Sequence, residues 1–327
     1  ANVAKPSRHC CRGGFARWMS CSRATYLTKV RGMRHDSRIA EIRAFHRTVT
    51  ERIGALQEHY LASGRSLGLD RLIWEIGSEG AEVRELRERL GLDSGYLSRQ
   101  LRLLEADGLV VTEVSSADSR VRRASLTLRG AAELGVLDEQ SDELVAAILD
   151  PLSEEQRAAL TEAAAVVRRL FTASAVEIAP ANPDLPEARS AIDSYFAELA
   201  QRFERGFDAG TTRQAAAPEM TPPAGRFLLA TLHGKPVGCA GLTLHGDDPA
   251  EVKRLWTADT VRGMGLGRRL LAEIETAAVK AGARAVRLET NRALTEAIGL
   301  YRSAGYAEIP AFNDEAYAHH WFEKELA

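Results

Sequence analysis

The sequence predicts two domains of different class, an all-α module followed by an α+β module with a mixed, mainly antiparallel sheet. Three observations carry this. The 327 residues suffice for two ordinary domains of about 100 to 200 residues each. Apolar residues recur at three- and four-residue intervals through most of residues 37–171, the period of a buried helix face. Beyond residue 175 the pattern changes to short β-prone runs punctuated by turn residues, with helices between some of them. The expected division is a basic leader over residues 1–35, a first domain over 36–174 and a second over 175–327.

Composition narrows the class. With 45% hydrophobic and 27% charged residues, the chain falls in the globular range and outside the disordered and collagen-like classes. The net charge of −2 conceals an asymmetry, because residues 1–34 hold eight Lys or Arg and no acid, leaving −10 for the rest. Any contact with nucleic acid must therefore come from a local basic surface rather than from the whole. Cys10, Cys11, Cys21 and Cys239 form no C-x-x-C pair and no Cys/His ligand spacing, so neither a disulfide framework nor a metal site is expected. Arginine interrupts each apolar run of the leader before a signal-peptide core can form, and no run approaches the roughly 20 apolar residues of a membrane helix. A cytoplasmic protein without membrane contact is expected. The leader, with a plausible start at Met33 inside it, reads as a solvated tail or a consequence of where the chain was begun, the sharper alternative being a basic arm along DNA.

In chain order, residues 37–62 predict a long amphipathic helix and residues after Gly68 a second, ending at Gly77. Val83, Leu86 and Leu90 line a short helix stopped by Gly91. Asp93 or Ser94 then caps another, whose Leu97, Leu101 and Leu104 form its buried face. Two short helices about a tight turn make a helix-turn-helix. Outward on the second stand Ser94, Tyr96, Ser98, Arg99 and Arg102, side chains of the kind that read base edges and phosphates. Two β-prone runs, 109–114 and 121–126, flank a polar tip and make a wing. From Ser119 to Ala132 there are four arginines, Arg120, Arg122, Arg123 and Arg129, and no acid.

The run from Leu86 to Val110, then Asp118-Ser119-Arg120 and Leu126-Thr127-Leu128-Arg129-Gly130, resembles the MarR winged helix-turn-helix regulators over residues 36–174. The resemblance implies a homodimer on double-stranded DNA, with an inverted repeat as its site. It also implies that Asp118 braces the wing while Arg120 reaches the minor groove; Arg122 is a further candidate for contact with DNA. Thr112 and Glu113 stand where that family often has an arginine, which implies weaker backbone contact. Residues 134–149 and 154–171 predict two further helices, the second capped by Ser153 after Pro151, completing a dimerisation platform.

The second domain is expected to open with a strand at 176–178 and a helix from Pro186 to Phe203. A Gly-, Ala-, Thr- and Pro-rich loop follows at 206–225, then a meander of strands at 226–232, 236–244 and 251–257. At the end of the meander stands Arg262-Gly263-Met264-Gly265-Leu266-Gly267, opening a helix over 268–281. Closely spaced glycines let backbone N–H groups approach a pyrophosphate at a helix N-terminus, with Arg268 and Arg269 adding charge there. A dinucleotide fingerprint would need glycine where Arg268 or Leu270 stands, and a P-loop needs Gly-Lys-Ser/Thr, which is absent.

Together with Leu300-Tyr301-Arg302-Ser303-Ala304-Gly305-Tyr306 after a strand at 286–289 and a helix at 295–303, this loop resembles the GNAT acetyltransferases over residues 175–327. The resemblance implies acetyl-CoA as co-substrate, held by Arg262, Gly263, Met264, Gly265, Leu266, Gly267 and Arg268, and direct transfer to the amine of a small molecule or peptide. Tyr301 would be the acid for the departing thiolate, and a backbone N–H of the 251–257 strand the oxyanion donor. Leu294 replaces an Asn common in that family, so Asn291 is the candidate for a pantetheine contact. Glu251 and His245 are the candidate bases, and His319 and His320 could line the acceptor pocket or simply alternate along a late strand. Two rivals to a bifunctional regulator and enzyme are a regulator whose second domain only senses a ligand, and an enzyme using the winged helix only to dimerise.

Overall fold

The computed structural model describes residues 37–55, 61, 63–114, 121–204, 206–208, 210, 215–246 and 248–326. The leader, Asp118 and Arg120 lie outside them. Contacts gather the described chain into two compact units: residues 37–80, 100–112 and 125–151 in one, and residues 81–99, 113–124 and 152–326 in the other.

The N-terminal region is helical. Helix α1 (Ser37–Arg52) is shorter than its apolar pattern suggested, because the chain turns through residues 53–55 with Gly54 at φ 69°. It buries no residue, leaving Ile42 and Phe45 exposed. Helix α2 (Leu67–Ile76) buries Leu72, Ile73 and Ile76, each side chain contributing about 1.5 to 3 kcal/mol. It also carries Asp70, fully buried, which accepts from Ser63 Oγ (2.6 Å) and Arg65 Nε (2.8 Å). The same arginine reaches Glu133 on α5 (Leu128–Leu149), and Trp74 donates to Asp138 there at 2.7 Å. A buried carboxylate is tolerated because each of its oxygens has a donor.

Helices α3 (Val83–Leu90) and α4 (Ser94–Ala106) are the expected pair, joined through Gly91 in the left-handed conformation. The α4 cap is Asp93, whose Oδ1 accepts the Tyr96 N–H at 2.8 Å. Strands β2 (Val110–Val114) and β3 (Arg122–Leu126) form the wing, and a two-residue strand β1 (Ala81–Glu82) that the sequence did not disclose joins them in the order β1-β3-β2. Helix α5 begins six residues earlier than expected. Thr127 caps it by accepting the Gly130 N–H at 3.0 Å, while its hydroxyl donates to the Gly108 carbonyl at 2.7 Å. A Cβ on Gly130 would fall 2.0 Å from the Leu109 carbonyl oxygen, so the Thr-x-x-Gly spacing is dictated by one capping bond and one backbone approach.

Helix α6 (Glu154–Ala175) opens with a capping box between Ser153 and Gln156, each side chain satisfying the other residue's N–H. There follow β4 (Glu177–Pro180), α7 (Pro186–Arg202), β5 (Gly225–Leu232), β6 (Lys235–His245), β7 (Asp248–Thr257), α8 (Leu266–Lys280), β8 (Ala285–Thr290), α9 (Thr295–Ser303), β9 (Ala307–Ile309) and β10 (His320–Glu325). The strands make one mixed, mostly antiparallel sheet in the order β4-β5-β6-β7-β8-β10-β9, with β7–β8 its parallel pair. Period-two alternation gives the sheet two apolar faces. Leu228, Ala230, Ala240 and Leu242 share a cluster with Leu270 and Ile274 of α8 and with Tyr301 of α9. Phe227 and Cys239 share another with Ala188, Ala191 and Ile192 of α7. Among the described residues no helix is long and apolar enough to cross a membrane.

Candidate functional site

A break in the sheet builds the site. Strands β7 and β8 pair only at Ala250↔Val286 and Glu251↔Arg287, so beyond Glu251 their edges part. On the other side of β7, the register with β6 passes from Cys239↔Trp256 to Gly241↔Lys253, leaving one extra residue on β7. That residue is Arg254, at φ 54°. The β-bulge re-aims the strand where its backbone loses its second neighbour.

Two cavities occupy the opening. One, about 520 Å³, runs along the glycine loop and is bounded by Trp256, Arg262, Gly265, Gly267, Arg268 and Leu300. The other, about 130 Å³, is bounded by Phe196, Phe207, Arg254, Glu289, Tyr301 and Tyr317. Tyr195, Leu199, Leu255, Leu294 and Ala297 line both.

The loop has the geometry that an anion needs. Gly263 (φ 73°) and Gly265 (φ 79°) adopt left-handed conformations, which a Cβ would strain. No backbone carbonyl among the described residues takes the N–H groups of Gly263, Gly265, Leu266, Gly267 and Arg268, the last three forming the first turn of α8. Unpaired donors there, with the positive end of the helix dipole, make an anion cradle. Met264 tucks into the core instead. The Gly267 Cβ position is 3.3 Å from Leu300 Cδ2, so this glycine serves close packing of α8 on α9.

The side chains at the loop are more committed than the sequence implied. Arg262 pairs with Glu198 and Asp259. Glu198 of α7 is a hub that sequence reading missed, accepting also from Trp256 Nε1 (2.9 Å) and Arg202 Nη1 (3.1 Å). Arg268 lines the groove but donates to Ser303 Oγ at 2.6 Å. Arg269 points elsewhere, to the carbonyls of Ala173 (2.8 Å) and Val176 (3.0 Å) at the end of α6. Its expected contribution to the loop is thereby corrected, since a guanidinium capping a helix C-terminus is already placed favourably. Asn291 bounds the smaller cavity, not the groove, and both ends of its amide are engaged, Nδ2 with the Tyr317 carbonyl (2.7 Å) and Oδ1 with the Ala293 N–H (2.9 Å).

Tyr301 is 6% exposed, ringed by Tyr306 and Phe322, and lines the smaller cavity. Burial first, then the charge of Glu289, pushes its hydroxyl pKa well above the ordinary tyrosine value, keeping the proton on. Among the described residues that hydroxyl has no hydrogen-bond partner.

Glu251 and His245 bound a different cavity, with Thr243 and Arg287. Glu251 accepts from Lys253 (2.9 Å) and Arg287 (2.9 Å) and lies 3.7 Å from His245. Burial raises its pKa, but Lys253 and Arg287 outweigh burial and hold it below the usual carboxylate range. A carboxylate so satisfied is a poor proton acceptor. Two acids line the smaller cavity, Glu289 and Glu315; Glu289 has Oε1 on Lys253 at 2.7 Å and, among the described residues, Oε2 buried without a partner. No motif marks Glu289, since its neighbours are fixed by pairing of β8 with strands distant in sequence. His319 is exposed, and His320 is bonded to Glu308 at 2.6 Å; Tyr317 takes the wall position considered for them.

On the N-terminal region, Ser94, Tyr96, Arg99 and Arg102 stand exposed on α4, Ser98 half-buried, and Arg122 exposed on β3. Arg99 and Arg102 form no ion pair among the described residues. Among those residues, no group of three His, Cys, Asp or Glu could hold a metal ion.

Residues 71–121 match the MarR family, and residues 192–306 match the Acetyltransferase (GNAT) family. An "IAA acetyltransferase" of Azospirillum brasilense is 40% identical over 28% of this chain and 61% of its own length, so the chain spans less than two thirds of that relative. An "Aminoalkylphosphonate N-acetyltransferase" of Salmonella typhimurium is 28% identical over 36% of the chain and 79% of its own. An "Uncharacterized N-acetyltransferase" of Schizosaccharomyces pombe is 32% identical over 34% of the chain and 74% of its own. With a MarR segment ahead of the split sheet and its glycine loop, the chain belongs to the GNAT acetyltransferase family.

Proposed function

We propose that the chain is an acetyl-CoA-dependent N-acetyltransferase that also binds double-stranded DNA as a homodimer through its MarR segment. One observation carries the enzymatic half: the unpaired N–H groups of the glycine loop open onto a groove that leads to Tyr301 at the split of β7 and β8. The N–H groups of Gly263, Gly265, Leu266, Gly267 and Arg268 suit a pyrophosphate, and a groove of about 520 Å³ suits an extended ligand arm. Bound acetyl-CoA would supply an activated acetyl thioester.

The roles of the chain's own residues follow from position. Leu255, lining both cavities beside the bulge, offers a backbone N–H as oxyanion donor. Glu289, with a free buried oxygen, takes the amine proton directly or through one water, a role reassigned from Glu251 and His245. Tyr301, held protonated, gives its proton to the departing thiolate. The small cavity suits a compact amine better than a peptide, and the relatives' names, one of them an aminoalkylphosphonate enzyme, fit that class of acceptor.

Calorimetric titration with acetyl-CoA tests the reading. Wild type should bind, and Gly265→Val should bind at least a hundredfold more weakly, since valine at φ 79° strains the cradle and narrows it. Absence of binding by wild type would leave the domain a ligand sensor or a relic. For the DNA half, Arg99 and Arg102, exposed and without an ion pair among the described residues, support contact with duplex. Arg99→Ala or Arg102→Ala should cost about 1 to 3 kcal/mol in gel-shift titrations at fixed salt where the arginine meets a base edge, and unchanged binding in both single mutants would remove α4 from recognition.

A further inference from the structure

The smaller cavity contains two cations with opposite fates. Lys253 is neutralised by Glu251 (2.9 Å) and Glu289 (2.7 Å). Arg254, half-buried, has no carboxylate within ion-pair distance among the described residues. Among the described residues its side chain donates one hydrogen bond, Nη2 to the Ala215 carbonyl at 2.7 Å, and its guanidinium carbon stands 5.5 Å from the Phe196 ring centre. The acid nearest in electrostatic effect, Glu219, turns its Oε2 to the Ala216 N–H. A guanidinium has five N–H donors in a planar fork, so most of this one's capacity is unspent.

Such a charge is costly to bury without a partner. Arg254 is also held at positive φ (54°), a conformation that strains a non-glycine residue. Both costs are concentrated on the bulge residue, whose side chain bounds the cavity. Beside it the lining is aromatic: Phe203, Phe207 and Tyr317 meet with ring centres 5.1 to 5.8 Å apart, and Phe196 stacks on Phe207 at 5.6 Å. At about 130 Å³ the cavity is near the roughly 150 Å³ that accommodates a benzene ring.

Resting on the acetyltransferase reading, we infer that the acceptor is an α-amino acid with an apolar or aromatic side chain, its carboxylate held by Arg254 and its amine presented to Glu289. A planar carboxylate meets the guanidinium fork in two parallel bonds. The apolar side chain then lies against the rings, and the amine is left on the side of the buried Glu289 oxygen and Tyr301. An amine lacking the carboxylate would leave the guanidinium buried and unpaired, which is how a site built for a polar group rejects its analogue.

The experiment measures CoA release from acetyl-CoA by the full chain with the twenty amino acids, their α-amides and the corresponding decarboxylated amines. Free amino acids such as phenylalanine or leucine should exceed their amides by at least tenfold in kcat/KM. Arg254→Gln should raise the KM for the amino acid at least tenfold and erase the preference over the amide, with acetyl-CoA affinity unchanged as the check on folding. Arg254→Lys should restore part of the preference, as a charge without the fork. Amides or decarboxylated amines acetylated as well as the acids, or acetyl-CoA bound with none of the amino acids acetylated, would overturn the inference while the acetyltransferase reading stood. Failure to bind acetyl-CoA at all would remove both.

Discussion

The two ends of β7 differ in a way that separates structure from function. At Glu251 the strand has neighbours on both sides, and the carboxylate is met by Lys253 and Arg287 across β7 and β8. Three residues on, past the bulge, the strand has lost its β8 neighbour. There, among the described residues, Arg254 has no acid in ion-pair distance, Glu289 has an oxygen without a donor, and the Tyr301 hydroxyl is unpaired. Polar groups buried in a folded protein are normally satisfied. Where one strand satisfies every charge at one end and leaves several open at the other, the open end is where a ligand completes the structure.

The largest effect expected from breaking this contrast is at Tyr301. Tyr301→Phe keeps the ring against Tyr306 and Phe322 and deletes the proton. General-acid assistance is worth about 10² to 10⁴ in rate, so kcat should fall by that factor at nearly constant acetyl-CoA Kd. A kcat within a few-fold of wild type, where chemistry limits turnover, would make Tyr301 a packing residue and water the donor. Glu289→Gln should likewise lower kcat.

Glu251→Gln is the converse. Removing a carboxylate that neutralises two cations should destabilise the fold by about 1 to 3 kcal/mol and leave kcat within a few-fold of wild type at a temperature where both proteins are folded. The sign with pH follows. Because Glu251 is held below its ordinary value of 4.5, its stabilisation is present above that value and is lost as pH falls through the lower folded-state pKa. Wild type and Glu251→Gln should therefore converge in stability on acidification. A kcat lost in step with Glu289→Gln would return Glu251 to the mechanism.

What could be read in advance divides along the same line. The glycine loop was legible because positive φ constrains residue type locally, whereas Leu126 to Gly130 was noticed only through a family resemblance and its capping role was not read. Leu97, Leu101 and Leu104 were legible as a helix face, and all three are buried. Glu289 and Arg254 were not. Their meaning depends on where β7 stops pairing with β8 and on a one-residue bulge against β6, which are long-range register facts. Glu251 looked catalytic because its partners, Lys253 two residues away and Arg287 on another strand, become partners only through that pairing. The start of α5 was placed late because Leu128, 95% exposed, breaks the apolar period that would have marked its first turn.

The smallest effect expected is at Glu198, which meets β7 beyond Arg254, at Trp256, and touches no reacting atom. Its carboxylate joins α7 to Trp256 on β7 and to Arg262 at the head of the glycine loop. Glu198→Gln keeps the shape and one acceptor oxygen but removes the charge, and Arg262 retains Asp259 as a partner. Most of the loop geometry, set by Gly263 and Gly265, should therefore persist. A weakly held Arg262 would still let the loop sample orientations in which its N–H groups no longer converge, so acetyl-CoA affinity should fall about three- to tenfold, or roughly 0.7 to 1.4 kcal/mol. Because the loss falls on binding of the co-substrate rather than on proton transfer, it should appear in acetyl-CoA Kd and KM, with kcat at saturation nearly unchanged. A drop in kcat at saturating acetyl-CoA would instead mean that Glu198 also fixes Trp256 and the parted stretch of β7, making the loop and the bulge one rigid element.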